Sequence, residues 1–236
     1  MPPAATARER LIVGLDVPDA EAARAMVRTL GDAATFYKVG LELVMRGGLR
    51  LVEELVGEGR KVFLDMKLLD IPNTVERAVR NAAATGATFL TVHATDSKTL
   101  RAAAEGAAGS GLRLLGVTVL TSLDAADLAE QGIARAPQEL VLTRARLAKA
   151  CGLAGIVASG HEAKAVRDTV GPGLAIVTPG IRFPENEAGD QARVTPPGRA
   201  IADGADHLVV ARPIIAAADP RAAAQRFVEA IAAAQG

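Results

Sequence analysis

Residues 61–74 read Lys61-Val62-Phe63-Leu64-Asp65-Met66-Lys67-Leu68-Leu69-Asp70-Ile71-Pro72-Asn73-Thr74, and this stretch decides the fold. Val62-Phe63-Leu64 has the apolar run of a buried strand, and Pro72 suits the first turn of a helix. Side chains alternate faces along a strand, so Asp65 and Lys67 point the same way. A carboxylate and an ammonium at the end of an apolar strand cost desolvation energy. With 13 Asp and 6 Lys among 236 residues, a D-x-K-x-x-D arises by chance in about 2 % of such chains, taking positions as independent draws from the composition. An ion pair at the protein surface is the plainer reading. The position between strand and helix points instead to a working site.

The same strand–helix rhythm extends in both directions. Strands are expected at residues 11–15, 36–40, 61–67, 88–94, 112–121, 155–158, 174–178 and 205–211. Helices are expected at 20–30, from the second strand through 56, and at 72–84, 98–108, 123–130, 137–151, 162–170 and 220–234. The strands are near-continuous apolar runs, as in a parallel sheet covered by helices. Eight such units in a chain of this length predict an α/β protein, a (β/α)8 TIM barrel forming a single domain over residues 1–236. A doubly wound open sheet is the alternative, but no G-x-G-x-x-G follows the first strand.

In such a barrel the C-terminal strand ends share one face, where active sites lie. The polar residues there are Asp16, Lys38, Asp65, Lys67, Thr91, His93, Thr121, Ser122, Ser159, Arg182 and Arg212. The opposite ends show much less polar clustering. Lys is scarce, six against 21 Arg. A Lys at an apolar strand end, as at Lys38 and Lys67, suits a role in which a proton is given up, which Arg cannot fill.

Residues 179–197, Pro-Gly-Ile-Arg-Phe-Pro-Glu-Asn-Glu-Ala-Gly-Asp-Gln-Ala-Arg-Val-Thr-Pro-Pro, have neither helical nor strand period. Long loops of this kind are commonly functional. This one follows the seventh strand, where barrels often bind phosphate together with the eighth. It is therefore expected to be a phosphate-binding lid. Arg212, after Ala211 at the end of strand eight, can grip a phosphate through its guanidinium, and Gln191 could reach the same ligand.

Composition narrows the classes. Formal net charge is zero and no basic block appears, so nucleic acid is not an expected partner. No run approaches the roughly 18 apolar residues of a membrane span, and residues 1–10 lack the apolar core of a signal peptide. The lone Cys151 fits a reducing compartment, so a cytoplasmic location is expected. With no Cys/His cluster and no H-E-x-x-H, no metal site is expected. His207, at the start of strand eight on the opposite face, reads as structural. His161 reads as a cap-region residue, and His93 as a packed strand-end residue.

The sequence resembles the orotidine 5′-phosphate decarboxylase family nearly end to end. The likeness is carried by Leu15-Asp16-Val17-Pro18-Asp19, Phe36-Tyr37-Lys38-Val39-Gly40, the stretch Asp65 to Thr74, Val117-Thr118-Val119-Leu120-Thr121-Ser122, Thr178-Pro179-Gly180-Ile181-Arg182 and Gly189-Asp190-Gln191-Ala192-Arg193. The resemblance implies cofactor-independent decarboxylation of orotidine 5′-phosphate to UMP in pyrimidine biosynthesis. Lys67 would be the proton donor to C6, in a charge network with Lys38, Asp65 and Asp70. It implies a homodimer in which Asp70 and Thr74 reach the partner's site. Asp16 and Lys38 would hold the ribose, Thr121 the pyrimidine, and Gln191, Arg182 and Arg212 the phosphate end. Ala211 stands where the family usually has Gly, and its methyl would crowd the phosphate if the backbone there needed positive φ. The family often has two Gly after the fourth-strand Val-His-Ala; here Thr95-Asp96 follow.

A rival within the same barrel superfamily is a Mg2+-dependent sugar-phosphate enzyme, such as a 3-keto-gulonate-phosphate decarboxylase or a hexulose-phosphate synthase. Lys38, where those carry an acid, and Gln191 disfavour it. A barrel that only binds nucleotides is disfavoured by the intact charge network.

Overall fold

Eight parallel strands close on themselves, each hydrogen-bonded to the next in sequence order and the last to the first. The computed structural model describes residues 6–184 and 194–235. The strands are β1 Leu11–Gly14, β2 Phe36–Gly40, β3 Lys61–Leu68, β4 Phe89–His93, β5 Arg113–Val117, β6 Gly155–Val157, β7 Ala175–Thr178 and β8 His207–Val210. Closure runs through Leu11 opposite Leu208 and Val13 opposite Val210. The helices are α1 Ala7–Arg10, α2 Ala20–Leu30, α3 Leu41–Val44, α4 Gly48–Gly57, α5 Pro72–Ala84, α6 Ser97–Ala107, α7 Ala125–Glu130, α8 Pro137–Ala150, α9 Ala163–Val170, α10 Pro197–Ala202, α11 Arg212–Ile215 and α12 Pro220–Ala233. The expected (β/α)8 barrel is thus observed.

Alternation along the strands sorts the interior into layers. The middle layer is Ile12, Phe36, Phe63, Phe89, Leu115, Val177 and Val209, packed with Val157. Two residues further along the same strands come Gly14, Lys38, Asp65, Thr91, Val117, Ser159, Pro179 and Ala211. These eight positions ring the barrel mouth. The other parity (Leu11, Val13, Val39, Leu64, Leu90, Val92) packs outward into the helix layer. The apolar plug under the mouth excludes water from below, and the strand period delivers the charged residues on top of it.

Several boundaries differ from expectation for local reasons. The fifth strand stops at Val117 rather than 121. Thr118 turns the chain, donating its Oγ1 to the Val157 carbonyl at 2.8 Å. The single helix expected through residue 56 is two, α3 and α4, broken at Gly47 with φ 86°. Three further helices were not expected: α1, held by a Thr6/Glu9 capping box, α10, which opens on Pro197 at the end of the proposed lid, and α11, which opens on Arg212.

Candidate active site

The site begins with an irregularity in β3. Leu64 pairs with Leu90, but Leu68 already pairs with Val92, so β3 spends four residues where β4 spends two. The surplus is a bulge containing Asp65 and Lys67. Bulges re-aim side chains, often beside active sites. Lys67 sits at φ 49°, the only described non-glycine residue with positive φ. An L-residue other than Asn or Asp adopts that region at a cost of about 1–3 kcal/mol, sustained only where surroundings over-determine it.

Four charged side chains follow one another across the mouth. Lys38 Nζ donates to Asp16 Oδ1 at 2.9 Å and stands 3.9 Å from Asp65 Oδ2. Lys67 Nζ donates to the same Asp65 oxygen at 2.8 Å. Thr91 Oγ1 donates to Asp65 Oδ1 at 2.8 Å and accepts the Lys67 backbone N–H at 2.9 Å. The Lys38 and Asp65 side chains are only 12 % and 13 % exposed, whereas Lys67 keeps 32 %. The file therefore alternates sign, and its Lys67 end opens to a ligand.

Two cavities meet at this file. One, of about 420 Å³, is lined by Asp16, Lys38, Ala211, Pro213 and the segment from Pro179 to Arg182, with Arg212. The other, of about 190 Å³, has walls of Phe63, Val117, Val119, Leu120 and Val157, with Asp65, Lys67 and Thr121. Lys38, Pro179 and Val209 belong to both. The larger cavity suits an anion. Arg182 lies below the ordinary guanidinium pKa, first from burial and then from the neighbouring Arg212 cation. Its buried Nε has no hydrogen-bond partner among the described residues. Two guanidiniums that repel each other, one with an unused buried donor, gain most from a multiply charged oxyanion. The smaller cavity suits a flat ring with polar groups at its edge.

The expected site residues divide accordingly. Asp16, Lys38, Asp65, Lys67, Thr121, Arg182, Ala211 and Arg212 line these two cavities. Asp70 and Thr74 do not. Both are exposed, and the Asp70 carboxylate accepts the Ile71 N–H at 2.6 Å. Gln191 lies outside the described residues. Ala211 has φ −115°, so its backbone needs no glycine. Its methyl fills the space left by Gly14, where an added Cβ would stand 2.9 Å away.

His93 lines neither cavity. Burial lowers its pKa, with the Arg144 and Lys67 cations adding to the effect. Thr91, expected at the mouth as a strand-end polar residue, does join the site, whereas Arg144 was missed. Arg144, itself lowered by burial, donates to the Thr118 carbonyl and so braces the loop that walls the smaller cavity. No sequence signal marks Arg144 or gives Thr91 its partners, because each acts across segments distant in the chain. Among the described residues, no group of three His, Cys, Asp or Glu could hold a metal ion.

The family model described as orotidine 5′-phosphate decarboxylase / HUMPS matches residues 9–227. The chain belongs to the orotidine 5′-phosphate decarboxylase / HUMPS family. Within that family it is 57 % identical over 228 residues to the orotidine 5′-phosphate decarboxylase of Methylorubrum extorquens, covering 97 % of each chain. It is 54 % identical over 234 residues to that of a Bradyrhizobium strain, covering 99 % of this chain and 96 % of the relative. The crystal structure of orotidine 5′-phosphate decarboxylase from Lactobacillus acidophilus superposes with a TM-score of 0.83 at 36 % identity, covering 94 % of this chain and 98 % of that one.

Proposed function

We propose that this chain converts orotidine 5′-phosphate to UMP and CO2, a step of pyrimidine biosynthesis, using its own side chains and no cofactor. The observation that carries the reading is the file Asp16–Lys38–Asp65–Lys67 at the junction of a guanidinium-lined cavity and an apolar one. A nucleotide laid across it puts phosphate at Arg182 and Arg212, ribose hydroxyls at Asp16 and Lys38, and the pyrimidine beside Thr121 and Lys67. The stretch 179–197, of which residues 185–193 lie outside the described residues, is read as a lid over the phosphate with Gln191, within a single domain spanning the chain.

The C6–carboxylate bond breaks, CO2 leaves, and the electron pair stays in an sp2 orbital on C6. No ring resonance disperses it, so a fixed positive charge must stabilise it in a water-poor pocket. The Lys67 ammonium supplies that charge and then transfers a proton from Nζ to C6 as general acid. Asp65 fixes Lys67 and faces the departing carboxylate. Lys38 offsets Asp65 from the other side. Binding energy at the distant phosphate closes the lid and assembles the site.

Asp70 completes the network, in this reading, from the partner of a homodimer, with Thr74 reaching the partner's ribose. In support, Leu41, Met45, Leu49, Leu69 and Ile71 are exposed, Met45 at 77 %, on consecutive segments around β2 and β3. Apolar exposure on that scale beside Asp70 suits a covered surface. A cytoplasmic setting belongs to the same proposal. Cys151 is a buried free thiol, and no helix among the described residues is long and apolar enough to cross a membrane.

The test is Lys67→Ala, which should abolish turnover of orotidine 5′-phosphate while UMP binding remains measurable. Near-normal turnover would sink the assignment. Mixing Lys67→Ala chains with Asp70→Ala chains should restore part of the activity in hybrid dimers. No recovery, with hybrids demonstrated, would place the whole site within one chain.

A further inference from the structure

We propose that Thr91 is a positioning residue for decarboxylation, fixing the Lys67 ammonium against the Asp65 carboxylate; this rests on the decarboxylase reading above. Thr91 is fully buried on β4, a strand away from both residues. Its hydroxyl accepts the Lys67 N–H at 2.9 Å and donates to Asp65 Oδ1 at 2.8 Å. Lys67 Nζ donates to the other carboxylate oxygen at 2.8 Å. A closed ring therefore runs from the Lys67 backbone through Thr91 and Asp65 to the Lys67 side chain.

Each link has a physical reason. The bulge takes the Lys67 N–H away from the β3–β4 ladder, and a buried N–H needs an acceptor. The left-handed backbone at Lys67 gains nothing from its own side chain, so the restraint must come from elsewhere. Asp65, gripped at both oxygens, has its carboxylate plane set. A hydroxyl can accept and donate at once, which no isosteric apolar group can do. The β-branched Thr side chain is also stiff at χ1, so the oxygen is held still.

Three variants separate this role from simple packing. Thr91→Ser keeps the hydroxyl and loses the methyl, Thr91→Val keeps the shape and loses the hydroxyl, and Thr91→Ala loses both. The readouts are kcat and KM for orotidine 5′-phosphate, UMP affinity and the thermal midpoint. Positioning predicts that kcat falls about 100-fold in Val and Ala, with KM and UMP affinity little changed and most turnover kept in Ser. A packing role predicts Val near the unmodified protein with Ser and Ala impaired together, and that ordering would overturn the proposal. If Thr91→Val does not fold, Ser and Ala still decide, since they differ only in the hydroxyl. Equal kcat in those two overturns the role of the hydroxyl. Insensitive Thr91 variants of an active enzyme would refute the inference alone. An unmodified chain that does not turn over orotidine 5′-phosphate would remove the decarboxylase reading, and this inference with it.

Discussion

Phe36 and Lys38, Phe63 and Asp65, Phe89 and Thr91 are paired by the same alternation, yet the two layers they build behave as opposites. Below, Phe89 packs its ring 5.3 Å from Phe36 and 6.1 Å from Phe63, with His207 at 5.4 Å. Arg113 lies over the same ring at 5.0 Å. Those contacts are apolar or ring-mediated and contribute stability directly. Above, acids and amines are held in partial burial, which returns little net stability. Position along one strand thus separates what holds the barrel together from what it does, and variants on either side should show opposite phenotypes.

The largest expected effect is at the mouth. Lys38→Ala removes the cation between Asp16 and Asp65 and should lower kcat/KM about 1,000-fold, with the urea midpoint nearly unchanged. A comparable loss of stability would erase the contrast. Next comes Phe89→Ala, expected to cost about 3–5 kcal/mol in urea unfolding while folded protein keeps its kcat.

His207 sharpens the comparison through pH. Burial takes it from 6.5 down to about 4, against the opposing pull of the Glu9 carbonyl and Asp206. The unfolded chain binds that proton more readily. The stability due to the neutral ring is therefore complete above pH 6.5 and is lost as pH falls toward 4, by on the order of 3 kcal/mol in all. Unfolding at pH 7 and pH 5 should show most of this loss, and His207→Gln should flatten it relative to the unmodified chain. Glu9, held at about 2 chiefly by its hydrogen bond from Lys61, contributes stability that is complete above pH 4.5 and is lost only as pH falls toward 2. The smallest effect is at Asp96, whose carboxylate caps α6 by accepting the Thr99 N–H at 2.8 Å. Asp96→Ala should cost about 1 kcal/mol of stability and leave turnover intact, because an acid at the mouth end need not belong to the site.

The barrel was legible because each strand is an apolar run buried on both faces, and the file was legible because Asp65 and Lys67 crowd one strand end, although a bulge rather than regular alternation aims Lys67. The rest depends on contacts between segments distant in sequence. Nothing in residues 61–74 states that β3 carries two surplus residues against β4, or that Thr91 holds them. Val119 and Leu120 continue an apolar run and read as strand, although they wall a cavity. Asp70 and Thr74 stand apart from the cavities within one chain, so their part in the proposed site turns on a second copy.

The most direct measurement follows the ultraviolet absorbance of orotidine 5′-phosphate on adding purified protein in excess EDTA. A decarboxylase that works with its own side chains gives a steady loss of absorbance at a rate that EDTA does not change. No loss, with Mg2+-dependent activity on a sugar phosphate instead, would contradict that reading.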